Sequence, residues 1–169
     1  MTGDWLGDDE WARVQGLVPI LCVDMLPIRH SAASRDVGLI LRSTPHQGLR
    51  WCLIGGRVRL GETLAAAARR HWTDAVGDSL PFELVSAPHI VEYVKDDQPG
   101  RPHDPRKHAV AVTYPVLTDG VGVAHGVEAR ELRWFDPADV NAQAMGFGQE
   151  IVIGRLLAAG SVGGGHGAC

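Results

Sequence analysis

The segment from Trp51 to Gly77, WCLIGGRVRLGETLAAAARRHWTDAVG, constrains the chain more than any other. A short apolar run, Trp51 to Ile54, meets the pair Gly55-Gly56, where the backbone can turn tightly and stay uncovered. Gly61-Glu62-Thr63 follows as a helix start with Thr63 placed to cap, and Leu64 to Val76 then reads as helix. That helix is alanine-rich, carries Arg69, Arg70 and His71 in sequence, and stops at Gly77.

The layout resembles the Nudix box, whose pattern is a glycine, five residues, a glutamate, seven residues, Arg-Glu, an aliphatic, one residue, Glu-Glu, one residue and a glycine. Gly56, Glu62, Arg70 and Gly77 fall on those marks. His71, Asp74 and Ala75 stand where the family carries three helix glutamates. The resemblance implies an α/β fold of the mixed α+β kind: a sandwich in which a mixed β-sheet lies between helices. It covers roughly residues 17–158.

Those glutamates serve a chemical need, since diphosphate hydrolysis uses divalent cations to neutralise phosphate oxygens and activate water. Hard cations want carboxylate oxygens stacked on one helix face. His71 and Asp74 share a face at i and i+3, but imidazole is a poor magnesium ligand and Ala75 offers no donor. The box is therefore degenerate. Magnesium or manganese is expected to bind weakly, through the Gly55 carbonyl, Asp74 and Glu128, or not to bind. On the same face, His71 is expected to hydrogen-bond Asp74.

Within the family, GGRVRLGETLAAAARR followed by SLPFEL is most similar to the GDP-mannose mannosyl hydrolase branch. That resemblance implies a substrate-contacting role for Asp24 and diphosphate-side roles for Arg42, Arg57 and Arg70. Arginine suits the task because its planar fork neutralises a diphosphate bidentately. The branch places a Gln-His pair where Glu128 and Ala129 stand here, so the general base must come from elsewhere, with His108 and His125 as candidates on the substrate side. The candidate catalytic set is Arg57, Glu62, Arg70, His71 and Asp74. Glu62 and Arg70 are expected to pair and brace the loop against the helix. The alternative reading of Asp24 is a strand residue facing solvent.

Along the chain, residues 6–15 read as a short amphipathic helix and 18–28 as a strand with Pro19 and Pro27 near its ends. Residues 31–36 read as a polar connection and 37–41 as a second strand. Arg57 and Arg59 alternate with Val58 and Leu60, the period of a short strand. Residues 82–94 are mostly apolar, with Pro88 marking a bulge or an edge. The polar, proline-rich stretch KDDQPGRPHDPRK, Lys95 to Lys107, is either a lid or substrate loop or a plain surface loop. Strands are expected at 108–117 and 128–135, with Leu132 and Trp134 inward and Glu131 and Arg133 outward. Asp136-Pro137 opens a short helix, 147–159 forms a final one, and 160–169 is a glycine-rich tail. The organisation is thus an N-terminal arm (1–16), one Nudix-like domain (17–159) and a tail.

The 169 residues suit one domain with a full core, and a net charge of −4 gives no global pull toward nucleic acid. No apolar run approaches the ~20 residues that span a bilayer, and the first residues lack the features of a signal peptide. Three cysteines, an odd number, argue against a disulfide framework; Cys22 and Cys52 read as buried fillers and Cys169 as an exposed thiol. The expected setting is cytoplasmic, with a small-molecule substrate and no nucleic-acid or membrane partner. The branch resemblance adds a homodimer, with the arm around Trp5 and Trp11 and the first strand crossing between subunits. Three functions follow in order: a Nudix-type hydrolase of a nucleoside diphosphate sugar or related phosphorylated metabolite, a metal-independent enzyme on a non-nucleotide molecule, and a non-catalytic sugar-nucleotide-binding module.

Overall fold

The computed structural model describes residues 6–30, 35–78, 80–84, 88–118, 124 and 129–161. Helix α1 (Asp8–Leu17) is followed by strands β1 (Ile20–His30), β2 (Arg35–Thr44), β3 (Gly48–Cys52) and β4 (Ile54–Arg57). Helix α2 (Leu64–Val76) leads to β5 (Glu83–Leu84), β6 (His89–Tyr93), β7 (Ala109–Leu117) and β8 (Glu131–Phe135). A 3-10 helix (Pro137–Ala142) and α3 (Gln149–Ser161) complete the order. The expected α/β arrangement, a mixed sheet flanked by helices, is the one observed.

β1 organises the sheet. It runs parallel to β7 from Ile20 to Ile28, so β7 takes one whole edge. On the other edge β1 pairs first with β4 (Cys22 to Met25) and then with β2 (Ile28 to His30), both antiparallel. Pro27 falls where β1 leaves one partner for the other, a position where a missing ladder donor costs least. The sequence places this proline near a strand end; it lies inside because β1 continues to His30. β2 also carries β3 and β8, and β7 carries β5 and β6.

Helix α2 begins and ends where expected. The Thr63 hydroxyl accepts from the Ala66 amide at 3.1 Å, and Gly77 closes it with φ 77°. Its buried stripe of Ala68, Trp72, Ala75 and Val76 keeps i, i+4, i+7, i+8 spacing and packs on β4 and β1. Trp72 is 2% exposed, donates its indole N–H to the Leu80 carbonyl at 2.7 Å, and lies 4.7 Å from the Phe82 ring. Cys22 and Cys52 are buried, unpaired thiols, and burial pushes each up to about 11.

Several expectations are corrected. No strand runs from Arg57 to Leu60. Glu62 reaches back to the Arg59 amide at 2.8 Å, Gly61 adopts φ 82°, and the chain turns there with Leu60 fully exposed. β2 starts at Arg35, because Asp36 and Arg29 pair across the ladder at 2.8 Å. The final helix starts at Gln149 rather than residue 147, since Phe147 and Gly148 have φ 60° and 70°. In β8, Phe135 is the buried residue; Leu132 and Trp134 are half-buried, and Arg133 stretches over Trp51 and Phe135. The expected tail beyond Ser161, together with Trp5, lies outside the described residues. No described helix is long and apolar enough to cross a membrane.

Replacing Trp72 with Ala removes the largest fully buried side chain together with its hydrogen bond, and a cost of about 3–5 kcal/mol is expected. A urea midpoint that does not move would show that α2 is not anchored through this ring.

Candidate functional site

A cleft of about 270 Å³ opens beside β4 and α2. Its walls come from many parts of the chain: Asp24 from β1, Arg42 from β2, Gly55 to Arg57 from β4, and Arg70, His71 and Asp74 from α2. Tyr93 of β6, the segment Asp104–Lys107, Phe147, Gln149 and, from α1, Trp11 complete it.

Two glycines let β4 approach this closely. A Cβ at Gly55 would strike the Val23 carbonyl and come within 2.5 Å of Asp24 Oδ1. Gly56 has no positive φ; it is small because the His71 ring leaves 2.7 Å to where a Cβ would stand. His71 Nε2 lies 3.1 Å from the Arg57 carbonyl, so the imidazole turns to the β4 end rather than to Asp74 as expected.

Glu62 and Arg70 form the expected brace. Arg70 donates Nε to Glu62 Oε1 at 2.6 Å and Nη2 to Oε2 at 2.8 Å, and the same Nη2 lies 3.1 Å from the Arg57 carbonyl. Loop, helix and strand are thereby tied at one guanidinium. The Arg70 hydrogen bonds hold the Glu62 carboxyl down at about 2, below its usual 4.5.

The cleft is cationic. Among the described residues, Arg42, Arg57, Arg59, Arg70, Arg106 and Lys107 line it against only Asp24, Asp74 and Asp104. Burial, and then the charges of Arg59 and Arg70, push the Arg57 pKa down, and its guanidinium lies 4.2 Å over the Trp11 ring. Burial works against the ionised Asp104, but Arg106 holds it below its usual value by bonds of 2.8 and 2.7 Å. Asp24 is 7% exposed, so it does not face solvent; burial pushes it up to about 6, against the pull of the Tyr93 hydroxyl and the Arg42 and Lys107 charges.

The described residues of the cleft do not by themselves assemble a magnesium cluster. Both Glu62 oxygens are taken by Arg70, Ala75 brings no donor and is buried, and Asp74 stands exposed. Among the described residues no three His, Cys, Asp or Glu side chains converge. Glu128 and His125 lie outside the described residues. His108 does not line the cleft; its Nε2 sits 3.8 Å from Glu92 at the β7 start.

Sequence reasoning missed Tyr93, Gln149, Phe147, Arg106 and Lys107 as parts of one site. Phe147 had a signal, the glycines on either side of it, since a bulky residue at φ 60° is strained and held by surroundings. Its amide donates to Gln47 Oε1 at 3.0 Å and its carbonyl accepts from His103 at 2.9 Å. The stretch Lys95–Lys107 thus brings Asp104, Arg106 and Lys107, near its C-terminal end, to the cleft.

A domain of unknown function, DUF4916, matches residues 1–161. The chain belongs to that family. No curated protein matches it. Among solved structures, one described as a possible asymmetric diadenosine tetraphosphate hydrolase from Jonesia denitrificans shares 28% identity at a TM-score of 0.73, over 86% of this chain and 96% of that one. The Nudix domain of Shewanella oneidensis NrtR, in complex with ADP-ribose, shares 20% at 0.62, covering 90% and 99%. A C. elegans Ap4A hydrolase shares 16% at 0.62, covering 83% and 98%. This DUF4916 chain has the Nudix fold.

Arg70→Ala is expected to lower stability by about 1.5–3 kcal/mol at neutral pH, the cost of losing hydrogen bonds to a charged group. Because the folded Glu62 pKa lies below its ordinary value, this stabilisation is present above pH 4.5 and is lost as pH falls toward about 2. Melting curves of both proteins should therefore converge in strong acid; an equal gap at every pH would count against the pair as its source.

Proposed function

We propose that this DUF4916 protein is a Nudix-type hydrolase of a nucleoside diphosphate sugar or a related phosphorylated metabolite, with an atypical and weakened metal site. The observation that carries the reading is the cationic cleft beneath the Nudix loop, with six basic side chains against three carboxylates among the described residues. Arg42 and Lys107 approach from β2 and from the segment before β7, so a diphosphate between them is clamped from two sides. Arg57 adds a third charge from β4, and the Trp11 and Phe147 rings give flat apolar surface at the cleft walls. The similar structures support the same class: two are described as diadenosine tetraphosphate hydrolases, one of them as a possible one, and a third holds ADP-ribose, ligands whose centres are phosphate chains.

The donor set favours phosphate neutralisation by arginine and lysine where the family resemblance implies a metal. The residues proposed for the reaction remain Arg57, Glu62, Arg70, His71 and Asp74, with Asp24 and Arg42 toward the substrate. Glu62 and Arg70 act by holding the loop. Turnover is expected on a panel of GDP-mannose, ADP-ribose and diadenosine tetraphosphate, with EDTA reducing it far less than loss of Lys107 or Arg42. No phosphate or sugar release from any of them, with or without magnesium or manganese, would overturn the hydrolase reading.

The assembly proposed is a homodimer through α1 and the start of β1. Leu17, Val18 and Leu21 are exposed there, and Leu6 and Leu60 are exposed beside them, more apolar surface in one region than scattered residues provide. Light scattering should give twice the 18.2 kDa chain mass at micromolar concentration; a mass of one chain removes the dimer.

A further inference from the structure

Behind the cleft runs a hydrogen-bonded chain whose direction is fixed by a backbone amide. The Leu53 N–H donates to Gln149 Oε1 at 2.9 Å. A backbone amide can only donate, so this bond decides which end of the Gln149 carboxamide faces β3. Gln149 Nε2 is then turned to the Tyr93 hydroxyl, 3.3 Å away, and donates to it. Tyr93 has one proton left to give, and it goes to Asp24 Oδ2 at 3.2 Å. Tyr93 and Gln149 are 5% and 6% exposed, so the chain is shielded from competing water.

The other carboxylate oxygen, Oδ1, lies against Gly55, where a Cβ would come within 2.5 Å of it, and Asp24 lines the cleft. Asp24 therefore sits in the cleft wall with one oxygen oriented by a donor chain and the other turned to the glycine floor. That is the arrangement of a base positioned by a second and a third group. The charged and titratable groups facing it are Arg42 of β2, Cys52 of β3, Lys107 ahead of β7, Tyr93 of β6 and Cys22 of its own strand.

We infer that Asp24 is the general base of this cleft, taking the proton of the attacking water at Oδ1, with Tyr93 and Gln149 as positioning residues. The inference rests on the hydrolase reading above. In the step, one water proton passes to Asp24 as the water oxygen bonds to the electrophilic atom of the substrate, phosphorus or sugar carbon. The bond from that atom to the leaving phosphate oxygen breaks, and its electron pair stays on that oxygen, opposite Arg42 and Lys107. Asp24 then releases its proton to solvent or to the leaving group.

The base is thereby supplied without His108, which stays outside the cleft, in a chain where Ala129 stands at the position of the branch's histidine. Tyr93 has a separate effect: its proton favours the ionised carboxylate, so its removal raises the pH at which Asp24 becomes a base.

The test is the pH dependence of kcat and KM on whichever panel substrate, GDP-mannose, ADP-ribose or diadenosine tetraphosphate, the protein turns over. Asp24→Asn is expected to lose about 100- to 10,000-fold in kcat with KM little changed. Tyr93→Phe, which keeps the ring, is expected to move the acidic limb of the profile to higher pH and to regain activity on the alkaline side. Asp24→Asn with kcat within about tenfold of the parent overturns the inference, as does a Tyr93→Phe profile whose limb has not moved. If Asp24→Asn fails to fold, the Tyr93→Phe limb decides alone. A parent protein silent on every substrate sinks the hydrolase reading along with this one, whereas an active parent with an active Asp24→Asn sinks only the base.

Discussion

The Arg70 guanidinium is the point on which the site depends. A glycine-rich loop has little intrinsic reason to hold one shape, because glycine gives up more backbone freedom on ordering than other residues. Arg70 removes that freedom by making a two-point bond to Glu62 at the loop's end and a third contact to the Arg57 carbonyl where β4 stops. Glu62 in turn uses an oxygen on the Arg59 amide, so the loop is closed on itself before it meets the helix. With the loop fixed, Gly55 can lie against Asp24 and Gly56 against His71 at distances that no side chain would allow.

Around that brace, the electrostatics of the cleft differ from what a carboxylate-bearing helix would create. Carboxylates stacked on α2 would repel a diphosphate until cations intervened. Here Ala75 is neutral and turned into the core, and the positive charge comes from β2, β4 and the segment before β7. The mutual repulsion of Arg57, Arg59 and Arg70 is a cost held in the empty site and relieved by an anion. Arg42 and Arg57 stand on strands, which limits the reorganisation needed when the anion arrives.

The parts of this structure legible in the sequence are those set by local chemistry. Thr63, Gly77 and the alanine-rich register fixed both ends of α2, and Glu62 and Arg70 were recognisable from their spacing with Gly56. Arg57 to Leu60 misled because alternation alone does not make a strand; a side-chain bond from Glu62 and a glycine at φ 82° outweighed it. Phe147 misled in the other direction, since its apolar neighbours suggested helix while its backbone was held in a left-handed conformation by Gln47 and His103. The link from Leu53 through Gln149 and Tyr93 to Asp24 joins residues as much as 96 positions apart, and no local pattern encodes such a bond. Asp24 itself was visible as an anomaly, a carboxylate among apolar neighbours, but burial and not sequence decided between solvent and site.

Asp24 and Glu62 show what the fold does with two carboxylates in one neighbourhood. Glu62, paired with Arg70, lies below its ordinary pKa, so its contribution to stability is complete above pH 4.5 and disappears only as pH falls toward about 2. Asp24 runs the opposite way. With a folded pKa of about 6 against an ordinary 3.8, the folded protein binds the proton more tightly than the unfolded chain, so stability is greatest below 3.8 and declines as pH rises through 6. At neutral pH the buried, ionised Asp24 is therefore a net cost, on the order of 2–3 kcal/mol from a shift of that size. Nothing in the packing of β1 calls for it, since Val23, Met25 and Leu26 fill the same strand with apolar side chains. A group that weakens the fold near neutral pH, yet is oriented by a dedicated chain of buried donors, is explained by the chemistry of the cleft and not by the stability of the sheet.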